Sequence, residues 1–224
     1  MRNVKKQKKR PTCIDLFCGC GGFSLGFINA GFDVLLGLDS DHAALTTYAY
    51  NLGADDIRWV GELPNKRFQK DHWHGLNRPL LYGEDPNCGK IKAPNWALKE
   101  LRKKRNHLPW KRTVKFVVCK DVQDVSGWDL LEMLDIDHVD CVIGSPPCIS
   151  FSKLSKNFNK PHPADFLPFE FARLIIELQP TFWTMENVPQ FATKKLASGI
   201  KIIDVFNNLV RHPIGVTAAD VLGG

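Results

Sequence analysis

No stretch of this sequence approaches the roughly 20 consecutive apolar residues that a helix needs to span a bilayer. Its first ten residues are basic and lack the apolar centre of a secretory leader. These absences predict a soluble chain of the cytoplasm, nucleoid-associated in a prokaryotic source, with no membrane partner. Regular cysteine spacing is missing as well. The seven cysteines include no CxxC pair, which argues against a secreted disulfide framework and against a paired-cysteine zinc site. His72, His74 and Cys88 supply too few grouped ligands to restore a metal reading, so no metal is expected. Acidic residues are scarce in two places. Residues 2–10 carry six basic and no acidic side chains, and residues 58–115 carry fifteen basic against five acidic. Because the formal net charge of the whole chain is only +6, everything else is net acidic. Basic charge gathered into two segments has the form of a nucleic-acid footprint. A solvated tail and a solvated surface insertion would have the same composition.

The 224 residues, 44% of them hydrophobic, suffice for one sizeable domain with a buried core. Residues 12–17 read as a short buried strand and 24–30 as the start of a helix, joined by a loop with glycines at 19, 21 and 22. Residues 32–38 read as a second strand ending at Asp39, and Asp41 is placed to cap a helix over 42–51. Between 58 and 115 the pattern dissolves into Pro, Gly, Trp and clustered charge, with only 96–105 looking helical. Alternation then resumes with strand 115–119, helix 128–134, strand 139–143, helix 164–178 and strand 181–185. This order predicts an α/β fold, a doubly wound and mostly parallel sheet that binds ligands beyond the carboxyl ends of its strands. The expected organisation is a basic tail at 1–10 and one domain over 11–224, with a basic insertion at about 58–115. Trp59, Trp73, Trp96 and Trp110 of that insertion are candidate contacts to DNA or to a partner chain.

Three segments carry chemistry, each at the end of an expected strand. The first is Asp15-Leu16-Phe17-Cys18-Gly19-Cys20-Gly21-Gly22-Phe23-Ser24. A glycine-rich turn there lets backbone approach a ligand and aims free amides at an anion. Serine at 24 stands where the third glycine of GxGxxG belongs, which disfavours a dinucleotide. The second is Gly144-Ser145-Pro146-Pro147-Cys148-Ile149-Ser150-Phe151-Ser152, a thiol presented after a strand; Ser150 and Ser152 are small hydroxyl donors suited to phosphate contact. The third is Met185-Glu186-Asn187-Val188-Pro189.

In this order the three segments resemble the C5-cytosine methyltransferases, which have a glycine-rich S-adenosylmethionine loop, a Pro-Cys nucleophile loop and a Glu-Asn-Val acid segment. The resemblance covers residues 12 to about 222 and implies a Rossmann-like S-adenosylmethionine-dependent methyltransferase fold. It further implies that Phe17 packs on the adenine ring, that the 19–22 backbone, with Gly19, Gly21 and Gly22, holds the methionine portion, and that Asp39 accepts from the ribose hydroxyls. Asp121 would accept from the adenine amino group, Val122 would line the same pocket, and Asp15, Pro147 and Leu167 would complete the cofactor site. Asp39 read alone is equally a helix cap, and Asp121 a turn former.

The chemistry implied is methyl transfer to carbon 5 of cytosine, a poor nucleophile until a thiolate adds at carbon 6. Cys148 is the expected nucleophile, because a thiol of reference pKa about 8.5 supplies thiolate near neutrality and can also leave. Glu186 is the expected acid at ring N3, its pKa raised in a closed pocket, and Asn187 is expected to fix the loops by hydrogen bonding. The base must leave the stack to be reached, so double-stranded DNA is the expected partner. A tRNA cytosine-5 methyltransferase, or a non-catalytic subunit that binds cofactor or DNA, would carry the same motifs. Two departures stand out: Ile149 replaces a usual glutamine, and Ser145 a common glycine. No Gln-x-Arg-x-Arg segment or target-recognition region appears. A fragment, one subunit of a split enzyme completed by a second chain, or a degenerate relative is therefore expected.

Overall fold

The computed structural model describes residues 9–61, 112–147, 163–195 and 199–211, the side chains of 55, 56 and 163 excepted. The elements are β1 (Thr12–Leu16), α1 (Gly22–Asn29), β2 (Asp33–Asp39), α2 (His42–Leu52), β3 (Gly53–Gly61) and β4 (Val114–Cys119). They continue with α3 (Gly127–Leu134), β5 (Cys141–Gly144), α4 (Leu167–Leu178), β6 (Phe182–Met185) and α5 (Ile202–Arg211), with short 3-10 turns at Val122–Asp124, Pro163–Phe166 and Pro189–Ala192. The described strands form one sheet in the order β3-β4-β2-β1-β5-β6, every neighbouring pair parallel.

Alternating side chains on these strands feed two cores, as period-two geometry requires. Phe116, Val118 and Val142 face a cluster completed by Leu130 of α3, Phe171 and Leu174 of α4, and Phe206 of α5. Val117, Cys141 and Ile143 face the other, with Ile28 of α1 and Leu45, Tyr48 and Leu52 of α2. Helices therefore cover both faces, the doubly wound arrangement expected from the alternation. Local chemistry sets the helix boundaries. Asp41 caps α2 by accepting from the amides of Ala43 and Ala44, and Ser126 with Asp129 forms a reciprocal capping box at α3. Thr12 and Asp140 tie the start of β1 to the approach of β5: the Thr12 amide and hydroxyl donate to Asp140 Oδ2 at 2.7 and 2.8 Å.

Two elements escape the sequence pattern. The strand β3 was expected to be interrupted territory from residue 58, yet Arg58 to Gly61 pair in register with Phe116 to Cys119. The register shifts between Gly53 and Arg58, so Ala54, Asp55, Asp56 and Ile57 intervene where the partner strand has one residue. Asp residues are poor strand formers, and the irregular edge hides the period. Trp59 of this strand is 3% exposed, stacked beside His42, and so is core and not a nucleic-acid contact. The helix α5, which the alternation had not indicated, lays Val205, Phe206 and Leu209 into the core. The helix expected over 96–105 lies outside the described residues, as do Trp73, Trp96 and Trp110.

Candidate cofactor cavity and active-site loops

The chain runs outward from β1 in both directions, to β2 on one side and to β5 on the other, so the carboxyl ends of β1 and β5 flank a topological switch point. A cavity of about 470 Å³ opens there, within the range of small-molecule sites. Its walls include Phe17, Gly19, Gly22, Asp39, Asp121, Val122, Pro147 and Leu167. These come from six separate strand or helix ends and were each singled out in the sequence.

The glycine loop owes its shape to backbone conformations that side chains disfavour. Phe17 has φ of 58°, a genuine outlier for a bulky residue. The amide of Cys18 donates to Leu38 O at 3.0 Å and anchors that turn to β2. Asp39 closes it from the other side: its Oδ2 accepts from the Gly19 amide at 2.8 Å and its Oδ1 from the Asp41 amide at 2.9 Å. One carboxylate thus fixes the loop while facing the cavity. Asp121 accepts from the Gln123 amide at 3.0 Å and starts the 3-10 turn that presents Val122.

That turn is clamped from behind. Arg173 of α4 donates through Nη2 to Val122 O and Val125 O, at 3.0 and 3.1 Å, while Nε and Nη1 pair with Glu170 and Glu177 at 2.7 and 2.8 Å. Partial burial alone would lower the Arg173 pKa, but the bonds to Glu177 and Glu170 outweigh it and raise the value. The planar guanidinium serves four acceptors at once, a geometry that lysine cannot reproduce.

Asp15 and Gly21 are placed differently from the expected cofactor contacts. Asp15 is fully buried beneath the loop, where its Oδ2 accepts from Ser24 Oγ at 2.5 Å. Ser24 Oγ is in turn 2.7 Å from Tyr48 Oη. Burial pushes the Asp15 carboxyl up to about 7 against the lowering effect of the Ser24 hydrogen bonds. Among the described residues its Oδ1 has no hydrogen-bond partner. Gly21 (φ 94°) is the N-cap of α1, and a Cβ there would lie 2.5 Å from Leu52 Cδ1 and 2.8 Å from Tyr48 Cδ2. Its lack of a side chain serves helix packing.

The two remaining segments meet at the ends of β5 and β6. Gly144 pairs with Met185, and the Glu186 amide donates to Gly144 O at 3.0 Å. Asn187 Nδ2 donates to Pro146 O at 3.2 Å while its Oδ1 accepts from the Val188 amide at 2.9 Å. The acid segment is thereby bonded to the root of the thiol loop. A Cβ at Gly144 would lie 2.6 Å from both Leu16 O and Phe171 Cε2, so this root is also sterically tight. Glu186 itself is exposed, and the described residues do not enclose it in the closed pocket that was expected. Cys148, Ile149, Ser150 and Ser152 lie outside the described residues. Cys18, Phe23, Leu38, Ser40, Lys120 and Ser145 also line the cavity. Cys18, Phe23 and Ser145 lie inside the three motif segments, whereas Leu38, Ser40 and Lys120 only flank Asp39 and Asp121. Among the described residues no helix is long and apolar enough to cross a membrane, and no group of three metal-ligating side chains occurs.

A parallel doubly wound sheet with a glycine loop, paired acids at successive strand ends and a Pro-Pro loop at the switch point is the Rossmann-like fold of S-adenosylmethionine-dependent methyltransferases. The sequence model described as C-5 cytosine-specific DNA methylase matches residues 11–73 and 98–210, and the chain belongs to that family. It is 28% identical over 184 residues to M.MjaORF1200P of Methanocaldococcus jannaschii, itself provisionally named a type II methyltransferase, covering 79% of this chain and 48% of that one. Type II methyltransferase M.XorII of Xanthomonas oryzae pv. oryzae is 26% identical over 202 residues, covering 89% of this chain and 33% of the relative. The chain thus spans half the length of these relatives or less. A solved structure provisionally described as a DNA modification methyltransferase encoded within an E. coli prophage superposes with a TM-score of 0.50 at 25% identity, covering 90% of this chain and 38% of the other.

Proposed function

We propose that the chain is the cofactor-binding and catalytic portion of a DNA (cytosine-5) methyltransferase of the restriction-modification type, acting on double-stranded DNA in the cytoplasm. The observation that carries this reading is that eight residues of the S-adenosylmethionine set line one cavity, adjoining the root of the Pro-Pro-Cys loop. Family membership and the type II names of the relatives support the substrate class.

Bound S-adenosylmethionine supplies an activated methyl group on a positively charged sulfur. Phe17 offers an apolar ring for the adenine, Val122 and Leu167 enclose it, and Asp39 and Asp121 accept hydrogen bonds from the nucleoside. The backbone of 19–22 supports the methionine portion. Pro147 lines this chamber and directly precedes Cys148 in the chain, which joins the cofactor site to the thiol loop. On the cytosine side, the Cys148 thiolate adds to carbon 6, which makes carbon 5 nucleophilic. Glu186 relieves the charge that develops at N3 by sharing a proton, and Asn187 holds the acid segment to the thiol loop through Pro146 O. After methyl transfer, removal of the carbon 5 proton expels the thiol. Ser150 and Ser152 contact phosphates while the base is out of the stack.

The test is covalent trapping. The chain, alone and with candidate completing chains, is incubated with S-adenosylmethionine and DNA containing 5-fluorocytosine. A denaturation-resistant adduct mapped to Cys148 is expected. Cofactor binding with no adduct under any condition refutes the catalytic assignment.

A further inference from the structure

Beyond the 3-10 turn that follows β6, the chain doubles back. Lys195 and Lys201 face one another in an isolated antiparallel bridge, and the Ile202 amide donates to Lys194 O at 3.0 Å beside them. That flanking bond makes the pair a non-hydrogen-bonded site, where opposed side chains leave the same face and approach most closely. Like charges held directly opposite one another are destabilising. Both lysines are exposed, and among the described residues neither has an ion-pair partner. Asp204, the acid nearest in sequence, donates its amide to Lys201 O, but its carboxylate bridges neither ammonium. The exposed neighbours Ala192, Thr193, Gly199 and Ile200 bring no negative charge. The fold therefore holds two uncompensated cations together where an external anion would relieve them.

Their position narrows the anion. The bridge follows directly from the Glu186–Asn187 segment and the Pro189–Ala192 turn, and Phe191 of that turn is packed on Phe206 of α5. It follows β6, the edge strand beside β5, and the chain just past β5 contributes Ser145 and Pro147 to the wall of the cofactor cavity.

We infer that Lys195 and Lys201 form a phosphodiester-contact point for the DNA strand that carries the flipped base; this rests on the proposed function. Two adjacent ammonium groups match two successive backbone phosphates, and releasing their counterions makes the contact salt-dependent.

The experiment titrates the full chain against a fluorescent DNA duplex of mixed sequence over a range of salt. It compares the wild type, the Lys195→Gln/Lys201→Gln double variant and Arg211→Gln, an exposed arginine at the carboxyl end of α5. Cofactor affinity is measured in parallel. The double variant is expected to bind DNA roughly tenfold more weakly and to lower the slope of log K against log salt by about 1.8, at about 0.9 per phosphate. DNA binding by Arg211→Gln and all cofactor affinities should be unchanged. An equal slope in the double variant, or an equal loss in Arg211→Gln, overturns the inference. No DNA binding by a wild type that still binds cofactor overturns it while sparing the cofactor half of the proposed function; no cofactor binding overturns that function as well.

Discussion

Replacing Asp15 by Asn should remove a titration from the core and change how stability depends on pH. Asp15 sits with no exposed surface under the glycine loop, its only described hydrogen bond coming from Ser24. Burial raises its carboxyl from the model-peptide value of 3.8 to about 7. A carboxyl raised on folding binds its proton more tightly in the folded state. Its contribution to stability is therefore fully present below about pH 4, declines as pH rises toward 7, and is lost above that. A difference of about three pKa units, at 1.36 kcal/mol each, corresponds to about 4 kcal/mol. Asn fills the same space, can still bond Ser24, and does not titrate. The unfolding free energy of Asp15→Asn minus that of the wild type should therefore increase by about 4 kcal/mol between about pH 4 and pH 8. Asp140, whose carboxyl is held below its usual value by the Thr12 amide and hydroxyl, titrates in the opposite sense but equally in both proteins, so it cancels. Urea unfolding followed by tryptophan fluorescence measures the difference directly. A pH-independent difference would falsify the buried, protonatable carboxyl and with it the account of Asp15 as a support beneath the loop.

Phe17→Ala should weaken cofactor binding roughly tenfold by removing the aromatic wall, with little change in melting temperature; calorimetric titration checks this, and unchanged affinity would refute the wall. Cys148→Ser should abolish adduct formation on 5-fluorocytosine DNA while leaving cofactor affinity intact, and a serine variant with full turnover would remove the nucleophile from its role. Arg173→Gln should destabilise the fold by about 1–3 kcal/mol through lost charged hydrogen bonds and also weaken cofactor binding, since the Val122 turn loses its clamp. Arg173→Lys should not rescue it, because a single ammonium cannot serve four acceptors; a full rescue would show that charge alone suffices. Trp59→Ala should cost about 3–5 kcal/mol in denaturant unfolding, whereas a surface tryptophan would cost almost nothing.

Much of the site was legible because its residues cluster in short contiguous motifs. Phe17, Gly19 and Gly22 lie in one turn, and Asp39 and Asp121 each end a strand whose apolar run is easily seen. Less legible were roles that depend on burial. Asp15 and Gly21 share the cofactor motif, yet one faces Ser24 and Tyr48 below the loop and the other faces Leu52. Nothing in their spacing separates a residue that touches a ligand from one that supports the residue touching it. Glu186 shows the converse: the chemistry required an enclosed carboxyl, and the described residues leave it exposed. The strand β3 was obscured by Asp55 and Asp56 in its irregular portion, although its last four residues pair regularly.

The sequence by itself determined the period-two and helical runs that make an alternating α/β fold, the order of the three motif segments, and the residue types available for chemistry. These are local properties, set by side-chain volume, polarity and backbone preference over a few neighbouring positions. Tertiary structure alone decided that Arg173 would hold the turn presenting Val122, that Asn187 would bond the loop root at Pro146, and that Lys195 would face Lys201 across a bridge. Those are long-range contacts, or contacts across a reversal of the chain, and they depend on the parallel order of strands that brings separate carboxyl ends to one edge. Only after the chain has packed on both faces of the sheet do these groups acquire fixed distances, and with them their chemical roles.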